Sequence, residues 1–241
     1  MKRAFLCIIC VFLCISTLIA QKKERVEYLP NFDKKQLHFG YYLGLNQKSF
    51  KVNFNDSPSS LNAGTDNLVS VEESIGFNIG LVVDYKLNEN LNLRFEPGLS
   101  SNTKTLTFNN PFIPDTDKDR IREVPGTYLR MPLLLKFSTN RLDNMRAFVI
   151  GGVSYDFNFS SNQDNADDNF QGQFRMKKNN FMYEVGVGVD LYLFYFKFSP
   201  SIRGIFAINN EIVPDNNAAS PWTGPINYFG TRGVFINFTF E

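Results

Sequence analysis

The chain is expected to fold as an all-β protein, an eight-stranded antiparallel transmembrane β-barrel with short periplasmic turns and long extracellular loops. Three observations predict this. Large apolar residues recur at every second position, as in Ile75, Phe77, Ile79, Leu81, Val83 and Tyr85, the period of a strand with one apolar face. The pattern returns about eight times, and no stretch after the N-terminus has the ~20 apolar residues of a membrane helix. Tight and long polar connections alternate along the chain, as in bacterial outer-membrane barrels.

The N-terminus reads as an export signal. Lys2 and Arg3 precede an apolar run from Ala4 to Leu13, and Ser16, Thr17 and Ala20 lead to a cut before Gln21. Residues 1–20 are therefore assigned to a signal peptide. A lipoprotein signal is the alternative, but Cys7, Cys10 and Cys14 lack the usual small-residue lead-in. All 3 cysteines leave with the signal, so the mature chain has no disulfide or thiol chemistry. Losing Lys2 and Arg3 from 25 basic residues leaves 23 against 24 acids, a charge of −1. That balance argues against nucleic acid as a partner. Residues 21–36 are charged and aperiodic, and read as an extended periplasmic segment ahead of a barrel over 37–241.

The strands follow in order. The first covers about 37–46, with Leu37, Phe39, Tyr41, Leu43 and Leu45 opposed to His38, Gly40, Tyr42, Gly44 and Asn46. The second covers about 74–85. The third, about 91–105, opposes Leu91, Leu93, Phe95 and Leu99 to Asn92, Arg94, Glu96, Gly98 and Ser100. The fourth, about 127–138, carries Leu129, Met131, Leu133, Leu135 and Phe137 on one face, Arg130 and Lys136 on the other. The fifth runs over about 146–160, the sixth over about 180–193, the seventh over about 196–208 and the eighth over about 229–240. Each has the roughly 9–11 residues that a tilted strand needs to cross hydrocarbon. Residues 86–90, 139–145 and 194–195 are the tight turns. Residues 47–73, 106–126, 161–179 and 209–228 are the long loops.

A soluble lipocalin-type barrel would turn the apolar face inward. The apolar sets hold about fifty mostly large side chains, more than the interior of an eight-stranded barrel accommodates. The apolar face must therefore point out, into lipid. The inward face then holds Arg94, Glu96, Arg130, Lys136, Arg146, Asp156, Glu184, Asp190, Lys197 and Arg203. Charges of both signs in a narrow lumen predict ion pairs that plug the barrel, with a polar solute path as the alternative.

No catalytic, cofactor-binding or metal-binding residues are assigned. The single histidine, His38, lies near the start of the first strand, where it reads as a lumen or interface filler. Asp115, Asp117 and Asp119 have the spacing that opens an EF-hand loop, but Arg120 stands where glycine is required and Gly126 where the closing acid belongs. Asp164, Asp167 and Asp168 read as a solvated loop. Pro221, Trp222 and Thr223, with the only tryptophan, are read as an interfacial anchor or as an outer-face contact with a partner barrel. The chain closes on Phe240-Glu241, where many barrels end on an aromatic residue.

Five stretches go beyond generic barrel patterning: YLPNFDKKQLHFGYYLGLN (28–46), NLRFEPGLSSNTKTL (92–106), TYLRMPLLLKFSTN (127–140), FMYEVGVGVDLYLFYFKFSPSIRGIFAINNE (181–211) and PWTGPINYFGTRGVFINFTFE (221–241). Together they strongly resemble the PorT (SprT) family, outer-membrane components of the type IX protein secretion system. TYLRMPLLLKF is common to many small barrels; FKFSPSIRG and PWT…FGTRG are more telling. The resemblance implies a role in exporting cargo proteins and, in gliding bacteria, in surface motility. It implies outer-membrane lipid and other type IX components as partners, no small-molecule substrate and no enzymatic activity. An eight-stranded barrel is too narrow for a folded protein, so an accessory or assembly role is expected rather than a conduit. Pattern alone leaves open a generic small barrel acting as adhesin or structural protein.

Overall fold

A computed structural model describes residues 26–55 and 68–241; the expected signal peptide lies outside them. Among the described residues ten strands form one antiparallel sheet: β1 (Leu37–Phe54), β2 (Val69–Glu73), β3 (Ile75–Lys86), β4 (Leu91–Phe95), β5 (Gly98–Phe108), β6 (Ile121–Ser138), β7 (Met145–Asn158), β8 (Asn179–Tyr192), β9 (Lys197–Ala207) and β10 (Ile226–Phe240). The sheet closes on itself, because β1 pairs with β3 on one edge and with β10 on the other, from Tyr41↔Phe240 to Phe54↔Ile226.

The ten segments make eight staves. Ser74 divides β2 from β3, and both segments pair with β5. Glu96 and Pro97 divide β4 from β5, and both pair with β6. The break leaves bonding intact: Glu96 N donates to Pro132 O at 3.2 Å, and Leu81 N to Pro97 O at 2.9 Å. The expected count of eight crossings therefore holds. Around the apolar wall each stave is paired on both sides, as a backbone in lipid requires, whereas β2, in the extension beyond it, pairs only with β5.

Around the middle of the barrel the alternating apolar set faces out. Phe39, Leu43, Phe77, Leu81, Leu135, Val149, Val185, Val187, Ile202 and Ile236 are exposed on the outer wall. Among the described residues no helix is long and apolar enough to cross a membrane.

The expected long loops shrink at one end of the barrel. β1 continues eight residues beyond Asn46, β5 reaches Phe108 and β6 starts at Ile121. In these extensions the polarity of the two faces inverts. Phe50, Leu106, Phe108, Val124 and Phe229 now point inward, while Lys51, Thr103 and Glu123 point outward. Period-2 alternation is unbroken and only its sense changes, because the outer wall there meets water and the interior needs an apolar core. Reading polar residues as loop had cut the strands short.

The remaining connections cluster by length. Residues 87–90, 139–144 and 193–196 are tight turns at the end shared with the start of β1. At the opposite end lie 109–120 with the short helix α1 (Asp117–Arg120), 159–178 and 208–225. Tight turns mark the periplasmic end of outer-membrane barrels.

Candidate functional site: the lumen and its two closures

All eight residues expected to form a lumen charge network lie inside: Arg94, Glu96, Arg130, Lys136, Glu184, Asp190, Lys197 and Arg203 are each at most 4% exposed. Strand parity places them there, since each alternates with an outward apolar residue. They form two groups. Toward the periplasmic end, Arg94 meets Asp84 at 3.2 Å, Glu96 at 3.0 Å and Glu241 at 3.4 Å. Lys197 Nζ lies 2.5 Å from Glu241, and Lys136 donates to both oxygens of Asp190 at 2.7 Å. Arg203 completes the group on Glu96 at 2.5 Å. Arg94, Lys136, Lys197 and Arg203 thus balance Asp84, Glu96, Asp190 and Glu241.

Higher in the lumen, Arg130 Nε donates to Asp156 at 2.9 Å and its Nη2 to Glu184. Lys48 lies over the rings of Tyr128 and Phe235, 4.3 and 5.4 Å from their centroids. Lys104 lies 3.9 Å over the Phe50 ring, and the buried Glu211 carboxyl sits within its field. Three basic and three acidic side chains thus share this part of the lumen, and the pairing of Arg130 with Asp156 and Glu184 offsets part of the cost of burying them.

Uncharged groups fill the gaps. Gly80 and Gly98 stand opposite one another, and a Cβ on either would strike Tyr42, which occupies that space. Asn78 Nδ2 donates to Asn237 Oδ1 at 2.5 Å beside Asn46 and Ser100. Among the described residues, buried polar side chains fill the lumen.

The periplasmic mouth is closed by residues 26–36, which were expected to be extended. They fold through a single 3-10 turn, Phe32–Lys34. Tyr192 OH donates to both oxygens of Asp33 at 2.8 and 2.9 Å. Arg146, expected in the lumen, sits at this rim with Nη1 3.6 Å from Asp33. His38 Nε2 donates to Phe32 O at 2.8 Å, and the two rings stack at 4.3 Å. Asn144 ties down Val26 and Tyr28. A space beside Asp33, His38, Lys136 and Asp190 measures about 10 Å³, room for about one water.

The other mouth is closed by an apolar cluster of Phe50, Leu106, Phe108, Ile113, Val124, Phe174, Met176, Ile212, Trp222, Ile226 and Phe229. Trp222 is therefore neither at the lipid headgroups nor on an outer face. It is 5% exposed, its Nε1 donates to Asp119 O at 2.9 Å, and Phe170 meets it edge-on at 4.9 Å. A large amphipathic ring is most stable where its body is dry and its N–H is satisfied. Thr223 is buried beside it and accepts from Asp215 N at 3.0 Å; Pro221 O accepts from Asn110 Nδ2 at 2.8 Å. Asp168 caps a 3-10 turn over Asn169–Gln171 and accepts from Asn216 N, joining the last two loops.

Asp115 pairs with Arg120 at 3.3 Å and Asp119 takes the Thr116 hydroxyl. Among the described residues no three His, Cys, Asp or Glu side chains gather as a metal site.

Sequence reasoning passed over Lys48, Lys104, Glu211, Glu241 and Asp33. Lys48 follows from parity once β1 is read to its full length, Lys104 lies on the inward parity within the expected third strand, and Glu241 continues the inward parity of β10 by one residue. Glu211 and Asp33 belong to connections without periodicity, so nothing local announces them.

The family described as an outer membrane protein beta-barrel domain matches residues 19–213. No curated protein matches the chain. Among solved structures, the chain is similar to Neisserial surface protein A, at 8% identity and a TM-score of 0.47 over 85% of this chain and 98% of that one. It is similar to the outer membrane protein OprG from Pseudomonas aeruginosa at 12% identity and a TM-score of 0.47, over 85% and 95% of the two chains. For Ail, the attachment invasion locus protein of Yersinia pestis, the figures are 10%, 0.35, 86% and 97%.

Proposed function

The chain belongs to the outer membrane protein beta-barrel domain family, and from that premise we propose that it is a type IX secretion component that acts as an accessory or assembly barrel. It resides in the outer membrane, with lipid around its apolar wall. The lumen carries the reading. Two groups of buried charged side chains, tied by ion pairs, fill it, and each mouth is closed by its own packed segment. A barrel so filled holds other proteins in place more readily than it conducts anything. The secretion assignment rests on the stretches that resemble the PorT family, and the partners are other components of that system. No catalytic step is assigned.

A clean deletion in the native host tests this. Cargo should accumulate in the periplasm, and the purified barrel should conduct close to nothing in planar bilayers. Normal secretion would refute the assignment and favour an adhesin or structural barrel. Photocrosslinking from residues 26–36 should capture a periplasmic or outer-membrane secretion component.

A further inference from the structure

On the outer wall near the extracellular end, two grooves of about 520 and 330 Å³ meet at Phe206 and Arg232. Arg232 on β10 stands opposite Ser49, and Lys51 on β1 stands opposite Gly230. The two cations are thus diagonal neighbours on one sheet face, about 7–8 Å apart. Both are exposed, and neither has an acceptor among the described residues. Like charges so placed repel unless an anion lies between them.

Their surroundings specify that anion. Arg232 pairs across the ladder with Phe206, whose ring stacks on Tyr183 at 5.0 Å, and exposed Ile208 lies beyond. Toward the membrane centre the same face carries Val234, Ile236 and Phe238, all exposed. Gly204 opposite Val234 leaves a trough in the wall. The acid at the groove edge, Glu73, accepts from Gln47 Nε2 at 2.8 Å. Cations above, apolar wall below and a trough running between match a lipid whose phosphate sits at the headgroup and whose chains descend from it.

We propose that Lys51 and Arg232, placed together above the Gly204 trough, clamp the phosphate of a phosphorylated glycolipid of the outer leaflet. The site lies on the outer wall where the apolar band gives way to polar residues, and it is independent of the secretion reading.

Native mass spectrometry of the full barrel, titrated with bisphosphoryl lipid A and with its dephosphorylated form, tests the clamp. The wild type should bind one bisphosphoryl molecule about tenfold more tightly than the dephosphorylated lipid. The double variant Lys51→Gln/Arg232→Gln should lose that preference, and Lys34→Gln at the far end should keep it. The charge-preserving pair Lys51→Arg/Arg232→Lys should also keep it, which separates lost charge from lost folding. Equal binding of the two lipids, or an unchanged preference in the double glutamine variant, would overturn the proposal. So would a photocrosslinker at position 232 that labels a protein in cells instead of the lipid.

Discussion

Arg203 and Glu96 meet across the lumen from opposite sides of the ring, with Nη1 and Nη2 2.5 and 3.1 Å from the two carboxylate oxygens. Four strand-to-strand steps separate β9 from β4 in either direction around the barrel, so this contact ties walls that share no ladder. Arg94 Nε reaches the same carboxylate at 3.0 Å. Bidentate geometry and full burial make the pair rigid as well as attractive.

Breaking it from one side should be costly. Arg203→Met leaves Glu96 with too little positive charge, and the expected loss is about 3–5 kcal/mol. Arg203→Met with Glu96→Gln removes the stranded charge and should recover a good part of that loss. Urea unfolding in lipid vesicles, followed by the heat-modifiable gel band, measures both. A double variant as unstable as the sum of the single ones would contradict the pairing.

Trp222→Ala should damage the extracellular closure and spare the barrel. The ring is buried among Phe170, Arg122 and the apolar cluster, and truncating such a residue costs about 3–5 kcal/mol. Limited proteolysis should cut within 159–178 and 208–225 faster, while the gel shift of the folded barrel stays. Unchanged proteolysis would mean the ring contributes little to the cap.

The wall was legible from the chain, and its closures were not. In Ile75–Tyr85 each outward residue is large and each inward one except Val82 is glycine or polar, so the parity of the strand located the lumen. That parity then located Arg94, Glu96 and Arg203 without further information. It misled where the surroundings of the strand change. Phe50 and Lys51 continue the alternation of Leu45 and Asn46 with the faces exchanged, and polar content there was read as loop. Trp222 and Asp33 sit in aperiodic segments whose positions depend on contacts more than a hundred residues distant, such as Trp222 with Asp119 and Asp33 with Tyr192. Local pattern cannot encode contacts of that range.

Asp33→Ala should loosen the periplasmic closure. The carboxylate takes the Tyr192 hydroxyl and lies near Arg146 and Arg141, at 3.6 and 3.9 Å. The bond from Lys86 Nζ goes to the Asp33 backbone carbonyl and survives the change. Losing a hydrogen bond to a charged group costs about 1.5–3 kcal/mol, so amide exchange at Phe32 and Lys35 should rise roughly 10–100-fold, with barrel unfolding little changed. Exchange at wild-type rates would place the hold of this segment elsewhere.

The extracellular cap should also respond to pH, through Glu211. This residue lies outside the strands, between β9 and β10, and is completely buried. Its Oε2 accepts from Thr231 at 2.7 Å, its backbone N donates to Phe229 O, and its carbonyl accepts from Lys177 N. Lys104 favours its charged form and Asp156 opposes it, but burial dominates and pushes the carboxyl up to about 7. A carboxyl raised on folding binds a proton that the unfolded chain has released. Stability is therefore greatest below the ordinary glutamate value of about 4.3 and declines as pH rises from there through about 7. Amide exchange at Lys177 and Glu211, corrected for the intrinsic rate, should accelerate between pH 5 and pH 8, by about tenfold for each pH unit over which the proton difference persists. Glu211→Gln should flatten that profile while leaving the amide of Val187, within the membrane wall, unaffected. A wild-type profile already flat over this range would mean that Lys104 holds Glu211 ionised throughout.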